Sequence, residues 1–193
     1  MSAVLDAFRR HEALLEGHFQ LSSGLHSSRY LQCAKVLAHP KVSEELCREL
    51  VTRWKHPAPD VVIGPAMGGI TLAYELGRAF GVTALFAERE NGAFTLRRGF
   101  QLAVGARVLV AEDVVTTGGS VKEVLRLVEN LGAIPCGVMS LIQRTENSPF
   151  SVPYVALEQI IPPVWKPEEC PLCREGGVAV KPGSRPGGVA ARS

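Results

Sequence analysis

A doubly wound α/β fold with a parallel sheet is the class this sequence predicts, and three observations predict it. The stretch Asp60-Val61-Val62-Ile63-Gly64 is a short apolar run, Pro65 to Gly69 is loop-like, and Ile70 to Phe80 has helical apolar spacing; strand, loop and helix make the basic α/β unit. Strand-like runs recur at Val82–Ala87, Arg107–Ala111 and Cys136–Ile142, with a helical stretch at Val121–Leu131 between the last two. Strands alternating with helices imply a parallel sheet, whose ligands sit beyond the carboxyl ends of the strands, here Gly64, Glu88, Glu112 and Gln143.

Taken in order, Leu5, Phe8, Leu14 and Leu15 fit one face of a helix that Gly17 would stop. Residues His18 to Leu37 look strand-like around a turn at Ser22-Ser23-Gly24, and Pro40 opens a helix through Val42, Leu46, Leu50 and Val51. Residues 1–40 therefore read as a small hood beside the main sheet. After Pro162 the chain turns rich in Gly and Pro, and KPGSRPGGVAARS, from Lys181 to Ser193, lacks apolar periodicity. Residues 170–193 read as a tail, surface-bound or without order. The whole of 1–193 is expected to be one domain, since 193 residues suit a single core.

Bulk composition excludes more than it selects. Hydrophobic residues make up 46% and charged residues 21%, as in soluble globular proteins, and no apolar run approaches the roughly 20 residues a membrane helix needs. The opening MSAVLDAFRRHEALLEG has no uninterrupted secretory core, so a cytoplasmic location is expected. With 21 basic and 19 acidic residues, the net charge of +2 does not announce nucleic-acid binding. Five cysteines argue against a disulfide framework. Cys33, Cys47 and Cys136 read as buried small side chains. Cys170 and Cys173 have the CxxC spacing of half a tetrahedral zinc site, which needs four ligands; no second such pair exists, so a partner chain would have to complete it, and a redox role is the other reading.

The stretch Arg107–Asn130, RVLVAEDVVTTGGSVKEVLRLVEN, carries the chemistry. It joins an apolar strand, two adjacent acids, a run of small residues and a helix. Thr116, Thr117, Gly118, Gly119 and Ser120 can wrap a phosphate with amides and hydroxyls, and the helix start adds free N–H groups and a positive dipole end. Carboxylates only accept hydrogen bonds, so Glu112 and Asp113 suit vicinal sugar hydroxyls instead. Neighbouring strand residues face opposite ways, so both acids reach one ligand only if the strand is already ending at Glu112. A ribose 5-phosphate fits both halves. A Walker loop is excluded because no Lys follows the glycines, and no GxGxxG is present.

AEDVVTTGGS resembles the phosphoribosyl pyrophosphate signature of type I phosphoribosyltransferases. FQLSSGLHSSRYLQ at Phe19–Gln32, GPAMGGI at Gly64–Ile70 and SLIQR ending at Arg144 are similar to the orotate-specific branch, and the resemblance covers the chain up to the tail. It implies the type I phosphoribosyltransferase fold, a parallel twisted sheet flanked by helices with a hood and a mobile loop. It also implies a magnesium-dependent transfer of ribose 5-phosphate to orotate in pyrimidine biosynthesis, by a homodimer with shared active sites. Glu112 and Asp113 would hold the ribose hydroxyls, and Thr116 to Ser120 the 5-phosphate, with Val114 and Val115 completing that motif. Ala66, Met67 and Gly68 would form the pyrophosphate loop. Thr116 would touch the orotate ring, and Arg144 would pair with its carboxylate, for which a guanidinium is geometrically suited.

Glu88–Phe100, ERENGAFTLRRGF, resembles the mobile loop that closes over pyrophosphate; a solvated hairpin is the alternative. Arg89, Arg97 and Arg98 would supply its catalytic cations, where many relatives place lysines and a histidine. Ser22 and Gly68 stand where relatives often carry lysine, and His26 is a candidate to assist proton transfer. Magnesium would bridge pyrophosphate and ribose oxygens without an assigned protein ligand. Two rivals are a purine phosphoribosyltransferase, against which Arg144 and the SSGLHSSRY stretch argue, and a regulator that senses phosphoribosyl pyrophosphate, for which the short N-terminal segment holds no convincing helix-turn-helix.

Overall fold

The computed structural model describes residues 3–182 apart from Ser22. The chain opens with helix α1 (Ala3–Arg10), which buries Val4 and Phe8. It ends earlier than the apolar spacing suggests: Glu12 adopts φ 51°, Ala13 N donates to Phe8 O at 2.7 Å, and Leu14 and Leu15 enter strand β1 (Leu14–Gln20) instead. Leu14 is paired with Leu31 and Leu15 with Tyr30 of the antiparallel strand β2 (His26–Leu31). Pairing across a sheet thus overrides the helical spacing of those two leucines. Helix α2 (Cys33–Leu37) replaces the last part of the expected strand, and α3 (Pro40–Arg53) follows with Pro at its first turn, where its missing N–H costs nothing.

The main sheet comes next, as β3 (Val61–Pro65), α4 (Gly68–Phe80), β4 (Thr83–Glu90), the short β5 (Ala93–Thr95), β6 (Arg107–Val115), α5 (Gly119–Asn130), β7 (Ile134–Gln143) and β8 (Tyr154–Gln159). Its order is β5-β4-β3-β6-β7-β8, parallel throughout except for the antiparallel hairpin β4/β5. The central strands are apolar on both faces, as parallel sheets covered by helices must be. Val62, Leu109 and Met139 join α1, α2, α3 and α4 in one core, while their neighbours Ile63, Val110 and Val138 join Val121, Val124 and Val128 of α5 in the other. Each adjacent pair on a strand points to opposite sides, so one sheet anchors both layers.

Strand β9 (Val164–Trp165) completes a second, three-stranded sheet in the order β1-β2-β9. The hood is therefore not made by the first 40 residues alone: its third strand comes from beyond Pro162, while α1 and α2 pack into the main core. The expected tail is also partly built in. Cys170 is fully buried, α6 (Pro171–Arg174) follows a 3-10 turn at Pro167–Glu169, and Val180 bridges Phe19 on β1. Cross-strand bonds to the hood satisfy this backbone where no apolar period announces it. The remaining tail, 183–193, and Ser22 of the expected turn lie outside the described residues.

Candidate active site

Strand β6 carries the two acids to the C-terminal edge of the sheet. It does not end at Glu112: pairing with β7 continues through Val114↔Ile142 and Val115↔Gln143, because the apolar run of β7 offers a ladder that far. The two side chains line different cavities, yet their carboxylates stay close enough to interact directly. Glu112 lines a cavity of about 260 Å³ with Thr116, Thr117, Gly118, Gly119 and Ser120. Asp113 lines a neighbouring cavity of about 630 Å³ with Met67, Gly68 and Thr71. Val114 borders both, so a single ligand meets both acids by spanning that boundary.

Each acid is held by its own strand. Asp113 N donates to Glu112 Oε1 at 3.2 Å, and Val114 N donates to Asp113 Oδ1 at 2.8 Å. Burial, and then the Asp113 carboxylate beside it, push the Glu112 carboxyl up to about 8; two nearby carboxylates out of water resist joint ionisation.

The phosphate run turns on Gly118, which has φ 74° and precedes α5. A Cβ there would sit 2.8 Å from the Phe150 ring and 3.0 Å from Pro149, so glycine serves both the left-handed backbone and the close packing. No side chain caps α5, which leaves its first amides turned to the cavity for an anion. On the other side, a Cβ on Gly68 would lie 2.9 Å from Asp113 Oδ1, so the β3–α4 loop runs directly against that acid. Ala66 N is tied to Ala87 O at 2.8 Å, and Met67 is 85% exposed at the cavity rim.

A third cavity, of about 440 Å³, adjoins the first through Thr116 and Thr117. The hood roofs it with Leu21, Ser23, Leu25 and Tyr30, the segment after β8 adds Ile161, Pro162 and Val164, and Arg144 projects into it. Arg144 N donates to Val115 O at 2.8 Å, which fixes its place beyond β7. Burial lowers the affinity of its guanidinium for its proton, and among the described residues no carboxylate lies within 4.0 Å of it. Arg144 is the one basic residue among the described residues lining the three cavities, against Glu112, Asp113 and Glu123.

Three expected roles do not match the arrangement seen. Glu88–Phe100 forms the hairpin β4/β5 and a following turn, and none of its arginines lines the cavities. Arg89 pairs with Glu123 at 2.9 Å and lies over Phe94, Arg97 is 3.7 Å from Glu90, and Arg98 bonds both oxygens of Glu88 at 2.9 and 3.0 Å. Local carboxylates hold these cations. His26 is buried against His18 and Cys173 rather than facing the cavities. Cys170 and Cys173, finally, meet two histidines of the same chain, so no partner is needed to complete a set of four. Sequence reasoning left Leu25, Tyr30 and Pro162 without roles, although the first two stand in the hood stretch that carries the family resemblance.

The phosphoribosyl transferase domain family matches residues 34–155, and the chain belongs to that family. The orotate phosphoribosyltransferase of Heliobacterium modesticaldum is 55% identical over 185 residues, covering 94% of this chain and 97% of that one, which places the chain in the orotate branch. Among solved structures, the orotate phosphoribosyltransferase of Aeropyrum pernix superposes with a TM-score of 0.69 at 24% identity, over 81% of this chain and 93% of that one. The adenine phosphoribosyltransferase of Thermoanaerobacter pseudethanolicus does so with 0.58 at 20% identity, over 68% and 88%. The type I fold is thus shared across enzymes named for different bases.

Proposed function

We propose that this chain transfers ribose 5-phosphate from phosphoribosyl pyrophosphate to N1 of orotate, giving orotidine 5′-phosphate and pyrophosphate in pyrimidine biosynthesis. The single observation that carries the reading is Arg144: a half-buried guanidinium with no carboxylate partner among the described residues, facing a cavity of base size one threonine pair away from a phosphate loop. A buried charge without a partner is costly. An orotate carboxylate supplies that partner in bidentate geometry, and adenine or hypoxanthine has nothing equivalent.

The rest of the trough suits the sugar. Thr116 to Ser120 and the start of α5 receive the 5-phosphate, Glu112 and Asp113 accept from the two ribose hydroxyls across Val114, and the loop Ala66-Met67-Gly68 cradles pyrophosphate against Asp113. The anomeric C–O bond to pyrophosphate then breaks as the bond to N1 forms, negative charge grows on the leaving group, and the proton released from N1 is taken up by the departing pyrophosphate. Three carboxylates and one distant arginine line this space, so the positive charge that pyrophosphate needs must be brought in. The carboxylate oxygens of Glu112 and Asp113 are hard donors of the kind magnesium favours, and such an ion, when bound, supplies electrostatic stabilisation of the leaving oxygens.

Arg89, Arg97 and Arg98 are the other source. Their present ion pairs are largely exposed, and exposed pairs are worth about 0–1 kcal/mol. Exchanging Glu88, Glu90 and Glu123 for pyrophosphate oxygens is therefore easy, and one donor aimed at developing charge contributes about 2.7–4 kcal/mol. Delivery of the hairpin to a neighbouring subunit's site, in a homodimer with shared active sites, accounts for its distance from the cavities of its own chain. The described residues contain no helix long and apolar enough to cross a membrane, and a cytoplasmic location for a single 1–193 catalytic domain accords with that.

The test follows loss of orotate absorbance with phosphoribosyl pyrophosphate and magnesium present. Consumption of orotate with none of adenine or hypoxanthine is expected; turnover of a purine in its place overturns the assignment.

A further inference from the structure

Outside the trough, on the far side of the hood, four side chains with metal-binding atoms converge. His18 stands on β1, His26 on β2, and Cys170 and Cys173 at the start and in the body of α6. Nε2 of His18 lies 2.9 Å from Nδ1 of His26, 3.4 Å from Sγ of Cys170 and 3.7 Å from Sγ of Cys173. Sγ of Cys173 lies 3.3 Å from Nδ1 of His26, and all four atoms fall within 4.8 Å of one another.

Three of these four distances match a tetrahedron's edges, and the 2.9 Å between the two histidine nitrogens is a few tenths shorter. Zinc binds sulfur at about 2.3 Å and imidazole nitrogen at about 2.0–2.1 Å, so its ligands stand about 3.3–3.8 Å apart. Shifts of tenths of an ångström would centre an ion. The backbone explains the convergence. Gln20 pairs with His26 across the hairpin, and the register shift between Glu16 and Phe19 leaves His18 in an irregular stretch of β1, from which its ring meets that of His26 edge-on with centroids 4.8 Å apart. Cys170 and Cys173 are one helical turn apart, which brings their sulfurs to one side. His26 is 7% and Cys170 0% exposed, and binding through Nε2 fixes the His18 proton on Nδ1, the ring atom beside Gly177. Two thiolates and two imidazoles in tetrahedral array select zinc among the common divalent ions.

We propose that His18, His26, Cys170 and Cys173 form a closed structural zinc site that fastens the C-terminal segment to the hood sheet. Four protein ligands leave no open position, so the ion is structural and takes no part in turnover. It clamps the feet of the β1–β2 turn, whose Leu21, Ser23 and Leu25 roof the third cavity, and it secures α6 where Val180 bridges Phe19. Neither the location of the site nor its ligand set depends on the reaction proposed above.

The full chain, purified under reducing conditions without chelator and then given zinc, is expected to hold one zinc per chain by elemental analysis. Loading with cobalt(II) alone should give the intense visible bands of a tetrahedral ion and a thiolate charge-transfer band, both abolished when zinc is added in equal amount. Cys170→Ser with Cys173→Ser should lose the metal, and His26→Gln should weaken its retention. Should the paired serine variant fail to fold, the cobalt spectrum of the unaltered chain decides. Zinc below a tenth per chain after loading, a cobalt spectrum without thiolate bands, undiminished metal in a folded double variant, or a Cys170–Cys173 disulfide in the reduced preparation overturns the proposal.

Discussion

Replacing Arg144 by alanine isolates the interaction on which base choice rests. The guanidinium is half-buried, its backbone N–H is anchored to Val115 O at 2.8 Å, and it shares its cavity with Thr116, Thr117 and the hood residues Leu25 and Tyr30. Hydrogen bonds to charged groups are each worth about 1.5–3 kcal/mol net, and the orotate carboxylate would accept two. Because truncation leaves that carboxylate desolvated as well, a loss of about 3–4 kcal/mol in kcat/KM for orotate is expected, roughly 140- to 720-fold at 1.4 kcal/mol per decade. Affinity for phosphoribosyl pyrophosphate, titrated without orotate, should change less than about threefold, since Arg144 lines neither of the cavities assigned to it. The melting temperature should not fall, because the residue removed is a partly desolvated charge without an ion-pair partner among the described residues. Steady-state kinetics at varied orotate, calorimetric titration of phosphoribosyl pyrophosphate and a thermal scan read the three quantities. Equal losses for both substrates, or no loss for orotate, would refute the carboxylate role.

Glu112 gives a prediction in pH. Its carboxyl is held above its ordinary value by burial and by Asp113, so the folded protein binds a proton that the unfolded chain has already lost. Its contribution to stability is then full below the unfolded value and is lost as pH rises toward about 8. Glu112→Gln should raise stability at pH 8 by about 1–3 kcal/mol, flatten the slope of stability between pH 5 and 8, and weaken phosphoribosyl pyrophosphate binding; urea denaturation across that range checks it, and an unchanged slope counts against it. Gly118→Ala should destabilise by at least about 1 kcal/mol, through its left-handed backbone and the contact with Phe150, and reduce activity further by shifting the phosphate loop; a variant as stable and active as the parent contradicts the packing argument. Arg98→Ala should lower kcat by about 100-fold or more while altering stability by under about 1 kcal/mol, because its bond to Glu88 is exposed; full activity removes Arg98 from the set of pyrophosphate donors.

Periodic and local information was enough for the sheet and for the phosphate run. The runs Asp60–Gly64, Arg107–Ala111 and Cys136–Ile142 read as strands because both faces are buried, which makes them largely apolar, and the observed strands extend to Pro65, Val115 and Gln143. Thr116–Ser120 reads as an anion loop because its glycines, hydroxyls and following helix are contiguous in sequence. Where the answer depended on a neighbour, local reading failed. Leu14 and Leu15 keep helical spacing with Leu5 and Phe8 yet join a strand, since β2 supplies partners. The short strands β5 and β9, of three and two residues, carry no period that could be seen.

Which chemistry this chain could carry is legible in its linear order: two adjacent acids, a small-residue loop at a helix start, and an arginine beyond the next strand. How those groups are shared out emerged from packing, with Glu112 and Asp113 in adjoining cavities, the hairpin arginines on their own carboxylates, and His18 and His26 beside cysteines about 150 residues away. The physical reason is range. Strand and helix periods and loop amides act within a few residues and are written in the order of the chain, whereas a cavity or a four-ligand cluster exists only when packing brings distant segments within a few ångströms.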